Sequence, residues 1–304
     1  MADSYTITVD QADDIIPEVI AQEALGMLEA DCPLIRNVTR DSELTPAKEG
    51  DTIRVTKRGT VEAKKKVKDT KVTMQRPSTD KVDIKLTEHY EVTFAIEDMV
   101  KSVQDSKITL DLGYIADGII SLRETIEEKL AALASSFTNS VGAVTTDVDN
   151  TQLLECRKKM TDNRAPQSDR ALVLSSGQTN SVLTLDKFTD VSKYGPNQAV
   201  QEGVLGRIYK FNTFESLFNQ STGGSPAGVM NMAFHKWALV LASRPVQTIN
   251  ASGVQIAFVE RDGLLFRVII GYNQNYLATQ ITIDSLFGVG VMRPELGVKL
   301  LSQD

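Results

Sequence analysis

Histidine, cysteine and tryptophan are nearly missing from this chain: two, two and one in 304 residues. His89 and His235 have no second ligand residue three or four positions on, and no H-E-x-x-H is present, which removes the helical zinc-hydrolase pattern. Cys32 and Cys156 stand far apart and fit no metal or redox spacing. A pair of reduced cysteines is the favoured reading and a disulfide the alternative. There is no Walker loop, no EF-hand and no G-x-S-x-G, and the stretches GVLG and FGVGV fall short of a full G-x-G-x-x-G. No apolar run approaches the roughly 20 residues of a membrane span, and residues 1–30 lack the basic start and apolar stretch of a signal peptide. The expectation is a soluble protein made in a cytoplasm, with no metal, no cofactor and no membrane partner. No repeat of fixed period appears.

What the chain does have is an uneven distribution of charge. The net charge of −7 divides into three parts. Residues 1–46 carry ten acidic side chains against two arginines, residues 47–85 carry twelve basic against six acidic, and the rest is mildly acidic at −5. Opposed charge on neighbouring segments suits complementary surfaces on neighbouring molecules, where it governs encounter and register more than affinity. The composition, 41% hydrophobic and 24% charged, is that of an ordinary globular protein with room for one large or two modest domains.

Hydrophobic periodicity gives a coarse map. Residues 1–12 alternate weakly and read as an extended arm; Asp10 or Asp13 can cap a helix over about 14–29, with Ile16, Val19, Ile20, Ala24, Leu25 and Leu28 on one face. DTIRVTKRG, KVDIKL and YEVTFAI alternate as half-buried strands. Between the first two lies a polar, lysine-rich stretch that alternates enough for a two-stranded ribbon but has no core of its own. Such a ribbon is marginal in water and takes its order from a neighbour. AIEDMVKSV opens a short helix, and apolar residues from Ile108 to Phe137 then recur every three or four positions, predicting a rod of about 30 residues and roughly 45 Å. A coiled coil ranks lower, because Gly113 and Gly118 lie inside the pattern. After a loop at 138–149 come a helix at TQLLECRKKMTDN, a buried strand at RALVLSS running into a helix, two short strands in GVLGRIYKFNTFESL and an exposed loop at NQSTGGSPAG. MNMAFHKWALVLASR reads as an apolar helix ended by Pro245, and the remainder as strands.

No constellation of side chains builds a catalytic centre. Ser175-Ser176-Gly177 sits at a strand-to-helix turn without the elbow motif, and each histidine reads as structural. The basic residues Lys57, Arg58, Lys64, Lys65, Lys66, Lys68, Lys71 and Arg76 lack the interleaved aromatics of a nucleic-acid surface. They read as a protein–protein arm, with Asp10, Asp13, Asp14 and Glu18 of the N-terminal segment as acidic counterparts, and a solvated hairpin as the bland alternative.

Read in order, the pattern resembles the tailed-phage major capsid (coat) protein, whose fold is shared with encapsulins. It is most similar to podovirus-like coat proteins that lack an inserted accessory domain. The likeness is carried by EHYEVTFAIEDM, AVQEGVLGRIYKFNTFES, FHKWALVLASRP and LFGVGVMRPELGVKL. The resemblance implies an α+β fold with an N-terminal arm (1–33) and a peripheral domain (34–149) holding an extended β-hairpin loop (about 50–88) and a long spine helix (107–137). An axial domain (150–260) and returning peripheral-domain strands (261–304) would follow. It further implies a structural protein forming hexamers and pentamers of an icosahedral shell around phage double-stranded DNA, touched non-specifically. A separate scaffolding protein and a portal protein are implied partners, a decoration protein is left open, and the expected location is the virion after assembly in the host cytoplasm. The rival readings are an encapsulin-like cargo compartment, an α/β hydrolase using Ser175 or Ser176, and a tail-tube or sheath subunit.

Overall fold

Two β-sheets, a protruding two-stranded ribbon and one long helix organise the computed structural model, which describes residues 6–7, 30–42, 47–59, 61–76, 79–97, 110–185, 206–246 and 254–303. The first sheet runs β1 (Thr6–Ile7), β5 (Glu88–Glu97), β15 (Ala278–Val291), β12 (Leu239–Arg244), β2 (Thr39–Ser42), with β14 (Leu264–Asn273) also on β15 and β13 (Val254–Arg261) beside β14. The second runs β6 (Asn139–Gly142), β16 (Gly297–Gln303), β11 (Gly228–His235), β7 (Arg170–Leu174), β9 (Phe211–Glu215), β8 (Arg207–Ile208), with β10 (Gln220–Ser221) on β11. The ribbon is β3 (Thr52–Arg58) paired antiparallel with β4 (Thr79–Lys85).

The long helix, α2 (Leu110–Ala132), continues as a 3-10 turn at Leu133–Ser136, so the described part measures roughly 35 Å. Its expected stripe is buried at Ile119, Leu122, Ile126 and Leu130, in one cluster with Ile283 and Phe287 of β15 and Phe234 of β11. Gly118 lets the helix lie close on the first sheet: a methyl group there would stand 2.6 Å from Ile283 Cδ1. The glycine that weakened a coiled-coil reading is thus a helix-on-sheet contact. Helix α3 (Asn150–Asp162) starts at Asp149, whose carboxylate accepts the Gln152 amide at 2.8 Å, and α4 (Ser176–Leu183) follows β7 as expected.

Three sequence expectations are corrected. MNMAFHKWALVLASR is not a helix but two strands, β11 in the second sheet and β12 in the first, joined by a turn at Lys236–Ala238. Both strands are buried on both faces, so they show no alternation and mimic the continuous apolar surface of a buried helix. The expected loop at 138–149 contains β6, held parallel to β16. Between the arm and the ribbon, where the sequence map has no element, stands a short helix, α1 (Pro33–Asn37), with Pro33 in its first turn. Ala95 and Ile96, expected to open a helix, continue β5; the rest of that helix, the arm helix 14–29 and the first residues of the spine lie outside the described residues.

The sheets also trade strands relative to chain order. β12 and β13 come from the 150–260 stretch yet pair in the first sheet, and β16 comes from 261–304 yet pairs in the second.

Candidate inter-subunit surface

The ribbon grows from an apolar base. Ile84 and Leu86 are buried with Val240 and Ala242 of β12, Leu286 of β15 and Met292, while Ile53, Val55 and Val82 pack on the margin of this small cluster. The backbone closes the root, the Gly50 amide donating to the Leu86 carbonyl at 2.7 Å and the Leu86 amide to the Asp51 carbonyl at 2.9 Å. Where the ribbon leaves the sheet it crosses Gly288, at which a methyl group would meet the Lys85 carbonyl oxygen at 2.4 Å. Lys57 Nζ is 3.3 Å from Glu295 Oε1, a second tie to the body.

Beyond the base no sheet pairing continues. A turn at Val67–Thr70, with Asp69 at φ 60, forms the end, and the side chains from Val61 to Met74 are all exposed. Among the described residues no acidic side chain forms an ion pair with Lys64, Lys65, Lys68, Lys71 or Arg76, and Lys66 donates within the turn, to the Val67 and Thr70 carbonyls and the Thr70 hydroxyl. Of the eight basic residues singled out in the sequence, then, six lie on this projecting tip, Lys57 is tied to its own chain and Arg58 ends β3. Asp10, Asp13, Asp14 and Glu18 lie outside the described residues.

A polar brace beneath the ribbon-bearing sheet escaped the sequence reading. Glu127 on α2 is fully buried, and its two carboxylate oxygens accept the Leu34 and Ile35 amides of α1 at 2.8 and 3.0 Å. Those amides have no partner inside a helix that short, so the carboxylate caps it from across the core. Burial pushes the Glu127 carboxyl up to about 7 against the pull of these two hydrogen bonds. One turn away, Arg123 Nη2 lies 2.8 Å from Asp262 Oδ2, in the β13–β14 turn. Arg36 also reaches Asp262, at 3.8 Å, and Arg40 donates to its carbonyl. Nothing in its local sequence sets Glu127 apart from the neighbouring Glu124 and Glu128. The α1 amides it serves lie more than 90 residues away, out of reach of any local pattern.

The hydrolase reading finds no geometry. The Ser175 amide donates to Asn231 Oδ1 at 2.7 Å just past the end of β7, whereas His235 is register partner of Arg170 at the other end of that strand. Five residues of strand separate them, about 16 Å. His89 is in the other sheet, 3.1 Å from Asp284 Oδ2, which also holds Arg267. The two cysteines are free and buried, their thiols pushed up to about 12 by burial, so both are inert.

Sheet order, spine helix and projecting ribbon together define the fold of phage capsid subunits. Solved structures sharing it include one described as the capsid of cyanophage P-SCSP1u (TM-score 0.67, 14% identity, 93% of this chain and 92% of that one). Another is from Mycobacterium phage Che8 (0.64, 17%, 91% and 94%), and a third is the acid-stable capsid of Helicobacter pylori bacteriophage KHP30 (0.60, 11%, 93% and 92%). Neither a protein-family model nor a curated protein matches the sequence.

Proposed function

We propose that this chain is a major capsid protein, a structural subunit that self-assembles into a closed shell. The observation carrying the proposal is the ribbon: a basic projection of some twenty residues rooted in an apolar base, with no interior of its own, on a fold that nearly full-length phage capsid structures share. A single subunit gains nothing from ordering such a projection. In a shell it lies over the next copy, and many modest contacts sum through closed symmetry.

In this reading the first sheet with α2 forms the peripheral domain and the second sheet with α3 and α4 the axial domain, whose copies meet in hexamers and pentamers of an icosahedral shell. The acidic N-terminal arm, including Asp10, Asp13, Asp14 and Glu18, braces from beneath. The overall negative charge suits a lining that lets packaged double-stranded DNA slide rather than stick. A scaffolding protein and a portal would complete assembly, in the host cytoplasm, of what becomes the virion shell. The encapsulin-like compartment shares the architecture but has no feature here in its favour, and the serine of the hydrolase reading, though at a strand-to-helix turn, stands far from His235.

Electron microscopy of the expressed, purified protein tests the proposal. Closed particles are the expected result. Deletion of the tip from Lys64 to Lys71 should leave a folded subunit that does not close shells; particles of normal size and stability from that deletion would remove the arm from the mechanism.

A further inference from the structure

Alternation along its strands gives the first sheet two sides. Val92, Ile281 and Ile283 pack on the side of the spine helix, so Thr93, Gln280 and Thr282 face away from it. Register carries this outer side across β13, β14, β15 and β5. One row reads Val254, Gly271, Gln280 and Ala95, and the next Ile256, Ile269, Thr282 and Thr93. A third reads Phe258, Arg267, Asp284 and Glu91.

The first of these rows has a gap. Gly271 stands inside β14 without the positive φ that would call for glycine, and a methyl group there would meet only Val254, at 3.5 and 4.0 Å. At Gly288, by contrast, a methyl group would run into backbone. Glycine weakens a strand interior, and where the chain's own packing does not require it the position suits the close approach of a ligand. Here the missing side chain opens a hollow of about 450 Å³, with Val254 and Ile269 as its apolar lining.

The polar lining is uncharged and already arranged. The Asn275 amide donates to Asn273 Oδ1 at 3.0 Å, Asn273 Nδ2 to Gln280 Oε1 at 2.9 Å and Gln280 Nε2 to Thr282 Oγ1 at 3.4 Å. Thr93 joins the far end, its hydroxyl donating to Thr282 Oγ1 at 3.1 Å. Asn273 and Gln280 each use one N–H and one lone pair in this chain and keep another of each for a ligand. An anion finds no cation in the lining, and that of the third row is neutralised: Arg267 Nε donates to Asp284 Oδ1 at 2.9 Å and its Nη2 to Oδ2. An extended peptide finds no free backbone, because β14 and β15 are paired on both sides.

We infer that this hollow is a binding site for a neutral saccharide, the C–H face of a hexose ring lying on Val254, Ile269 and the Gly271 backbone and its hydroxyls exchanging hydrogen bonds with Asn273, Gln280 and Thr282. Two rows by three strands measure about 7 by 10 Å, which matches one or two such rings. The site belongs to the folded subunit and does not depend on the shell reading.

Titration calorimetry of the free subunit tests this with maltohexaose, chitohexaose and mannohexaose. Hexagalacturonate and a neutral serine–alanine hexapeptide serve as the anionic and peptide comparisons. At least one neutral hexasaccharide should bind with a Kd below about 5 mM, and neither comparison should. Gly271→Val fills the hollow, and Gln280→Ala removes its central carboxamide while leaving the backbone alone. Each should weaken binding by about tenfold or more, whereas Lys158→Ala, exposed on α3, should change it by less than about twofold. No binding of any of the three saccharides, or undiminished binding in either hollow variant, overturns the site. Tighter binding of the hexapeptide or of hexagalacturonate overturns the ligand class.

Discussion

The Glu127 carboxylate, toward the C-terminal end of the spine helix, accepts the amide of Leu34 at 2.8 Å and so ties the end of the N-terminal segment to the helix. Burial raises this carboxyl from about 4.5 to about 7. The folded state therefore binds a proton that the unfolded state releases. Glu127 costs nothing below about pH 4.5, its ionisation destabilises the fold progressively from there to about 7, and the full cost, on the order of 3 kcal/mol, stands above that. Glu127→Gln cannot ionise. Urea midpoints of the two proteins should converge or reverse in favour of the glutamine variant as pH rises from 4.5 to 8; a constant difference across that range would contradict the assignment.

Asp262 has the reverse role, as the carboxylate that two arginines need. Arg123 is buried, desolvation pulling its pKa down and the Asp262 charge pulling it back up. Asp262→Asn should cost about 2–3 kcal/mol by leaving a buried guanidinium without its anion. Asp262→Gly relieves the positive φ of 53 at this turn and should cost a similar amount, which separates the lost ion pair from turn strain. Chemical denaturation of the subunit reads both.

Gly288 and Gly290 are two residues apart in β15 and should respond differently. A methyl group at Gly288 runs into the Lys85 carbonyl at 2.4 Å, whereas at Gly290 the nearest atom is Ile84 Cγ1 at 3.5 Å, an ordinary contact. Gly288→Ala should destabilise by about 2 kcal/mol and loosen the ribbon root, because backbone must move. Gly290→Ala should be close to neutral. Proteolysis at the ribbon, read by mass spectrometry, should accelerate only for the first.

The lysines of the ribbon tip should matter for the rate of assembly. Replacing Lys64, Lys66 and Lys71 by glutamine should slow particle formation several-fold at low salt and not measurably at about 0.5 M added salt, where the screening length is only about 4 Å. Light scattering follows the assembly. Equal kinetics at every salt concentration would mean that these lysines take no part in encounter.

Local patterns sufficed for much of this molecule. Ile119, Leu122, Ile126 and Leu130 declare the spine helix by spacing alone, and the alternation of Ile53 and Val55 declares the ribbon strand, because a surface element must show one apolar side and one polar side. The charge of the tip is equally a property of composition. Tertiary structure alone decided the rest. Met230 to Arg244 became strands of two different sheets because burial on both faces erases the alternation by which a strand is recognised. Glu127 became an internal cap only through partners distant in sequence, and no window along the chain contains both the carboxylate and the amides it accepts.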